Sequence, residues 1–141
     1  MKDPQLGLKE MIRVLRKGGR VVAMEPDHET LVIASPDTGC TRKVIHCFCD
    51  NFAHGWIGRW LPVWFRQLPL QDLQVEPFTI ELDYDFLLNG CQIDKTALRA
   101  QNQGLISAEQ AQGWLDSLRQ AASANLFYSA ITFFMVSGQK V

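Results

Sequence analysis

Asp3-Pro4-Gln5-Leu6-Gly7-Leu8-Lys9-Glu10-Met11-Ile12-Arg13-Val14-Leu15-Arg16-Lys17-Gly18-Gly19-Arg20-Val21-Val22-Ala23-Met24-Glu25-Pro26-Asp27-His28 changes its hydrophobic period once, at the paired glycines. Before them, Asp3 is placed to cap a helix and Pro4 to occupy its first position. Leu8, Met11, Ile12 and Leu15 follow at the spacing of one helical face. Gly18-Gly19 is predicted to stop that helix, because glycine enters the left-handed conformation without steric cost. After them Val21-Val22-Ala23-Met24 is a short unbroken apolar run, the pattern of a strand covered on both faces. Pro26 closes the strand, since it has no amide hydrogen for a ladder and holds Glu25 extended. Helix, glycine turn and buried strand together predict an α/β fold, with Glu25, Asp27 and His28 at the carboxyl end of the strand.

Outward from that stretch, residues 41–67 read as two helical pieces. Val44, Phe48 and Phe52 share one face of the first, and Trp60, Leu61, Trp64, Phe65 and Leu68 continue the pattern after Gly55–Gly58. Pro62 is placed in the first turn of the second piece, where proline is tolerated. Leu73 and Val75, then Phe78, Ile80, Leu82 and Tyr84, alternate with polar neighbours, giving an edge strand with a bulge at Glu76-Pro77. A weaker helical pattern covers 85–103. Ser107 and Gln110 have capping-box spacing ahead of Ala111, Trp114, Leu115 and Leu118. Phe127 to Val136 is rich in aromatic and β-branched residues and predicts a third strand that ends at Ser137-Gly138.

The 141 residues are 47% hydrophobic and 21% charged, with a net charge of −1. That composition predicts a single domain, 1–141, or part of one, and neither repeats nor a Pro/Gly/Ser-rich linker divide it. A near-neutral chain lacks the basic patch that nucleic acid or an anionic membrane surface requires. No run approaches the roughly 20 apolar residues of a membrane span and no signal peptide opens the chain, so a cytoplasmic, soluble protein is expected. Cys40, Cys47, Cys49 and Cys91 are expected to be reduced thiols rather than a disulfide framework.

The segment from Asp3 through Arg13-Val14-Leu15-Arg16-Lys17-Gly18-Gly19-Arg20-Val21-Val22 to Glu25-Pro26-Asp27 resembles the helix, turn and fifth strand of class I S-adenosylmethionine-dependent methyltransferases, most closely their ubiquinone-biosynthesis-like branch. Lys17 stands where that family commonly has proline. Gly58-Arg59-Trp60-Leu61, Gly104-Leu105-Ile106-Ser107 with Trp114-Leu115, and Thr132-Phe133-Phe134 extend the resemblance over nearly the whole chain. The resemblance implies the C-terminal part of a Rossmann-like methyltransferase fold, with three strands equivalent to the family's fifth, seventh and sixth, the seventh antiparallel between the others. It implies S-adenosylmethionine as cofactor and a small-molecule methyl acceptor. The family holds its cofactor mainly on its first two strands, which this chain lacks. Neither a Gly-x-Gly-x-Gly turn nor an acidic residue closing a second strand occurs here, so no cofactor-binding residue is assigned and the chain is expected to be inactive alone.

Methyl transfer needs aligned reactants more than acid or base groups, although an oxygen or nitrogen acceptor can need a proton removed. Glu25, Asp27 and His28 are therefore expected to contact substrate by their position after the strand; alternatively, Asp27 caps the next helix. By resemblance, Phe86, Leu87 and Trp114 line an apolar acceptor pocket. No catalytic residue is singled out. His46, Cys47, Cys49 and His54 carry zinc-ligand chemistry, but Cys47 and Cys49 point about 200° apart on a helix, and neither a metal site nor a Cys-His nucleophile is assigned. Arg13, Arg16, Lys17 and Arg20 are read as cations meeting a helix C-terminus. A second reading is a non-catalytic module: without a fourth strand beside it, Arg20–Met24 exposes an apolar edge, and a homo-oligomer or a partner chain is expected there.

Overall fold

The computed structural model describes residues 2–141 as a mixed α/β protein with an antiparallel sheet and several helices. Contacts group these residues into two compact units. One comprises residues up to Asp27, Trp56–Phe78 and Thr132–Val141; the other comprises His28–Gly55 and Thr79–Ile131.

The first unit is built on helix α1 (Pro4–Val14), strand β1 (Arg20–Pro26), helix α3 (Ile57–Arg66) and parts of strands β3 (Leu70–Glu81) and β4 (Ser129–Lys140). Asp3 caps α1 by accepting the Leu6 amide at 3.1 Å, with Pro4 at the first helical position. The helix stops at Val14, ahead of the glycines. Leu15 turns extended, and Gly18 reaches φ 75° within the turn that follows, so the glycine shapes the entry to β1 rather than the helix end. The open carbonyls of the last turn are met from far along the chain: Lys140 Nζ donates to Ile12 O (2.8 Å), Arg13 O (3.2 Å) and Leu15 O (2.7 Å). A cation there also meets the negative end of the helix dipole.

β1 pairs antiparallel with β4 from Arg20↔Gln139 to Pro26↔Phe133. On the other side of β4 lies β3. Gln71 reaches Gln139 and Phe78 stacks on Phe133, so residue numbers rise along one strand as they fall along the other. The order within this unit is β1–β4–β3, with β4 central and antiparallel to both neighbours. α1 and α3 cover one face, enclosing Leu8, Ile12, Val21, Leu61, Phe65 and Val136, with Ala23, Leu70 and Leu73 packed alongside.

The apolar run of β1 is covered on one face only. Val21 is buried, whereas Val22 and Met24 are each 51% exposed. β4 continues through Ser137-Gly138, with Gly138 packed against the Leu70 and Leu73 side chains of β3. In β3 the irregular residue is Asp72, at φ 50°, and the strand runs unbroken through Glu76-Pro77. Pro62 sits in the interior of α3, past its first turn.

The second unit surrounds helix α2 (Thr38–Asp50), which touches α4 (Ile93–Asn102), α5 (Ala108–Ser123) and the single 3-10 turn His28–Thr30. Enclosure on several sides buries Cys47 and Cys49 together although they leave the helix in different directions. α5 starts with both capping-box bonds, Gln110 N–H to Ser107 Oγ at 3.0 Å and Ser107 N–H to Gln110 Oε1 at 2.9 Å. Residues 85–103 resolve into a π turn, Phe86–Gly90, and α4. A two-residue strand, β2 (Val32–Ile33), pairs antiparallel with Ala130 and Ser129 of β4. No helix among the described residues is long and apolar enough to cross a membrane.

Candidate functional site

The chain leaves β1 at Pro26. The Asp27 amide then donates to the Thr132 carbonyl at 3.0 Å, and the Asp27 side chain is completely buried. An isolated carboxylate so placed would be costly, and α3 supplies its counter-charge. Arg59 donates through Nε to Asp27 Oδ2 and through Nη2 to Oδ1 at 2.8 Å, a two-pronged guanidinium–carboxylate pair. The Arg59 guanidinium also lies 4.2 Å from the centroid of the Trp56 ring. Gly58 makes the approach of α3 to β1 feasible: a Cβ there would stand 2.7 Å from the Asp27 amide nitrogen and 2.8 Å from the Pro26 carbonyl carbon. Asp27 thus anchors the end of the strand by ion pairing, and Glu25 remains half-buried in the ladder opposite Phe134.

His28, in the second unit, meets the Gly55 carbonyl twice. Its amide donates to Gly55 O at 2.9 Å, and its Nδ1 lies 3.1 Å from the same oxygen. A carbonyl only accepts, so in this contact Nδ1 carries the proton. The ring stacks on Phe52 at 3.7 Å between centroids and faces Phe48 at 5.8 Å. Gly55 supplies the carbonyl because it can sit against the end of α2, where a Cβ would lie 2.5 Å from Cys49 O and 2.6 Å from Cys49 Sγ. His46 Nε2 lies 3.5 Å from Glu29 Oε1.

Phe86, Leu87 and Trp114 occupy three different settings. Phe86 is largely exposed on the π turn and Leu87 is completely buried. Trp114 is buried with its indole N–H donating to Thr41 Oγ1 at 2.9 Å. A shallow depression of about 370 Å³ beside Trp114 is lined by Pro36, Asp37, Glu109, Gln110, Gly113 and Ser117, with neither Phe86 nor Leu87 in its wall. Gly18-Gly19 builds no cofactor cradle. The Gly18 amide is bonded to Lys140 O at 2.9 Å, and the space where Gly19 would carry a Cβ is filled by Leu15.

Among the described residues no group of three or more His, Cys, Asp or Glu side chains converges on a metal-sized site. Cys47 Sγ points to Thr96 O at 3.9 Å and to Gln103 Oε1 at 4.0 Å. Burial pushes the thiols of Cys40 and Cys91 above their usual range, with the charge of Asp37 adding to the effect at Cys40. A raised thiol pKa keeps the sulfur protonated and weakly nucleophilic at neutral pH. In the folded protein both cysteines are therefore expected to react with a disulfide reagent at pH 8 at least about tenfold more slowly than in denaturant. The folded state holds these protons more tightly than the unfolded chain, so their stabilising contribution is complete below the ordinary thiol pKa of about 8.5. It falls as pH rises above that value. Urea melts at pH 7.5 and 9.5 check the sign, the higher pH giving the lower midpoint.

No family model matches the chain. It is similar to an uncharacterized 37.1 kDa protein in transposon TN4556 of Streptomyces fradiae, with 32% identity over 139 residues. The match covers 97% of this chain and 39% of that protein, so the chain spans well under half of its curated relative.

Proposed function

We propose that this chain is the C-terminal, acceptor-facing half of a class I S-adenosylmethionine-dependent methyltransferase domain of the ubiquinone-biosynthesis-like branch. The observation that supports this reading best is the sheet of the first unit: β1–β4–β3, with β4 antiparallel in the centre, is the fifth-seventh-sixth order that the sequence resemblance implies. Helix α1 and the Gly18-Gly19 turn before β1 fit the same scheme. Such sheets bind ligands outside the carboxyl ends of their parallel strands, which is where Glu25, Asp27 and His28 follow β1.

The residues present do not fit the cofactor itself, since the paired glycines are committed to a turn. The contribution of this chain is then on the acceptor side. His28 is the imidazole on that side, with Nδ1 directed to Gly55 O and its ring stacked on Phe52. Asp27 acts behind it along the chain, as an anchor paired with Arg59.

Amide chemical-shift titrations test the assignment with two probes, S-adenosylhomocysteine and catechol. Catechol is expected to shift His28, Phe52 and Gly55, and S-adenosylhomocysteine to leave the spectrum unchanged. Micromolar binding of S-adenosylhomocysteine would overturn the division of labour, and a catechol response spread evenly over the chain would overturn the acceptor site. The exposure of Val22 and Met24 favours a second reading, a non-catalytic association module derived from the same fold.

A further inference from the structure

We infer that the second unit carries a binding site for a small aliphatic monocarboxylate, held between β2 and the first half of α2 with Arg42 as its counter-ion. The inference uses neither the cofactor nor the acceptor of the reading above and is independent of whether methyl transfer occurs.

One face of α2 forms half of the site. Thr38, Thr41, Arg42 and Ile45 fall at i, i+3, i+4 and i+7, and with Leu31, Ile33 and Ser35 they wall a hollow of about 200 Å³. The strand side is fixed by the pairing of Val32 and Ile33 with Ala130 and Ser129, and by the Ala34 amide, which donates to Tyr128 O at 3.0 Å. The helix side is fixed by its cap: Asp37 Oδ1 accepts the Cys40 amide at 2.9 Å. Asp37 itself belongs to the wall of the depression beside Trp114 and is absent from this one. All the wall residues lie between Leu31 and Ile45, so one continuous stretch of chain builds the site.

The polar groups of the hollow decide the charge of what it takes. Arg42 is the only charged residue in the wall, and among the described residues its guanidinium makes neither an ion pair nor a hydrogen bond. Ser35 Oγ is shielded from solvent and has no hydrogen-bond partner. Such an unpaired hydroxyl is uncommon, and a ligand acceptor in the hollow would satisfy it after one rotamer change of the serine. Thr38 offers a further hydroxyl at the exposed rim. Thr41 Oγ1 is already engaged, donating to Asp37 O at 2.7 Å and accepting the Trp114 indole N–H at 2.9 Å. A guanidinium with two hydroxyls beside it suits the two oxygens of one carboxylate. The remaining wall is aliphatic: Leu31, Ile33 and Ile45 are at most 9% exposed, and no aromatic ring lines the space. Inorganic phosphate would leave that surface in water, whereas a branched acid of about five carbons covers it.

Isovalerate is the probe, titrated into the full 141-residue chain with amide chemical shifts as the readout. It is expected to shift Ser35, Thr38, Thr41 and Arg42 with a dissociation constant on the order of 1–5 mM, as befits so small a ligand. Isovaleramide has the same shape without the charge, and inorganic phosphate has charge without the aliphatic body. Each is expected to bind at least about tenfold more weakly. Arg42→Gln should weaken isovalerate by at least about tenfold while keeping the helix. Ser35→Ala deletes an unpaired hydroxyl, so its thermal midpoint should stay unchanged or rise while the dissociation constant for isovalerate increases about threefold. No shifts at about 20 mM isovalerate overturn the inference. So does equal binding of isovaleramide or phosphate, an Arg42→Gln variant that binds like the wild type, or a fall in the midpoint of Ser35→Ala, which would show the hydroxyl already partnered. Should Arg42→Gln not fold, the two ligand comparisons decide alone.

Discussion

Replacing Arg59 by alanine is expected to destabilise the protein by about 3 kcal/mol, because it removes the counter-charge of the fully buried Asp27 carboxylate. Breaking a fully buried pair costs about 3–5 kcal/mol; the low end applies here because the Arg59 side chain is itself 37% exposed and its charge is partly screened. Loss of the Trp56 contact adds a fraction of a kcal/mol at an exposed site. Thermal unfolding should report a fall of roughly 10 °C in Tm for a chain of this size. The double variant Arg59→Met/Asp27→Asn should recover at least half of the loss, since it removes both charges and keeps their volume. A loss below about 0.5 kcal/mol for Arg59→Ala, the scale of an exposed ion pair, would show that the pair is a surface feature and not the anchor of the strand.

Nothing local in the sequence announces that pair. Asp27 and Arg59 are 32 residues apart, and an arginine after a glycine on a helix carries no sign of its partner. The features that were legible are those decided within a few residues: the Asp3–Pro4 start of α1, the Ser107–Gln110 capping box, the alternation along β3 and the aromatic and β-branched run of β4. The features that were not legible depend on distant chain. β2 is two residues long and exists because Ser129 and Ala130 pair with it. Gly138 looks like a strand terminator until Leu70 and Leu73 are placed against it. The run Val21–Met24 reads as doubly covered because all four residues are apolar, yet only the face toward α1 and α3 is covered within this unit. At the candidate site, the position of His28 after a strand was legible. The carbonyl that its Nδ1 meets comes from Gly55, whose role follows from its close approach to Cys49 and from no motif.

Glycine gives the second large effect, and in two positions the same substitution is expected to act with opposite sign. Gly113 lies within α5 with open space where a Cβ would stand, so Gly113→Ala should gain about 1 kcal/mol, the helix-propensity difference. Gly58 also lies in a helix and would gain a part of that difference, but the added Cβ meets Asp27 N at 2.7 Å and Pro26 C and O at 2.8 and 2.9 Å. These are backbone atoms and cannot rotate aside as a flexible side chain would. Helix α3 must therefore shift away from β1, and it carries the buried Leu61 and Phe65 on the same face as Gly58. The overpacking cost is about 3 kcal/mol, leaving Gly58→Ala destabilised by about 2 kcal/mol once propensity is offset. Because Arg59 moves with the helix, the variant should also weaken the Asp27 pair, and the Arg59→Ala cost measured in a Gly58→Ala background should be smaller than in the wild type. Chemical denaturation of the wild type, the two glycine variants, Arg59→Ala and the Gly58→Ala/Arg59→Ala double variant decides between the two causes. If both glycine substitutions stabilise, propensity governs and the close approach of α3 to the end of β1 has no energetic weight; opposite signs make Gly58 the residue that lets Arg59 reach its carboxylate.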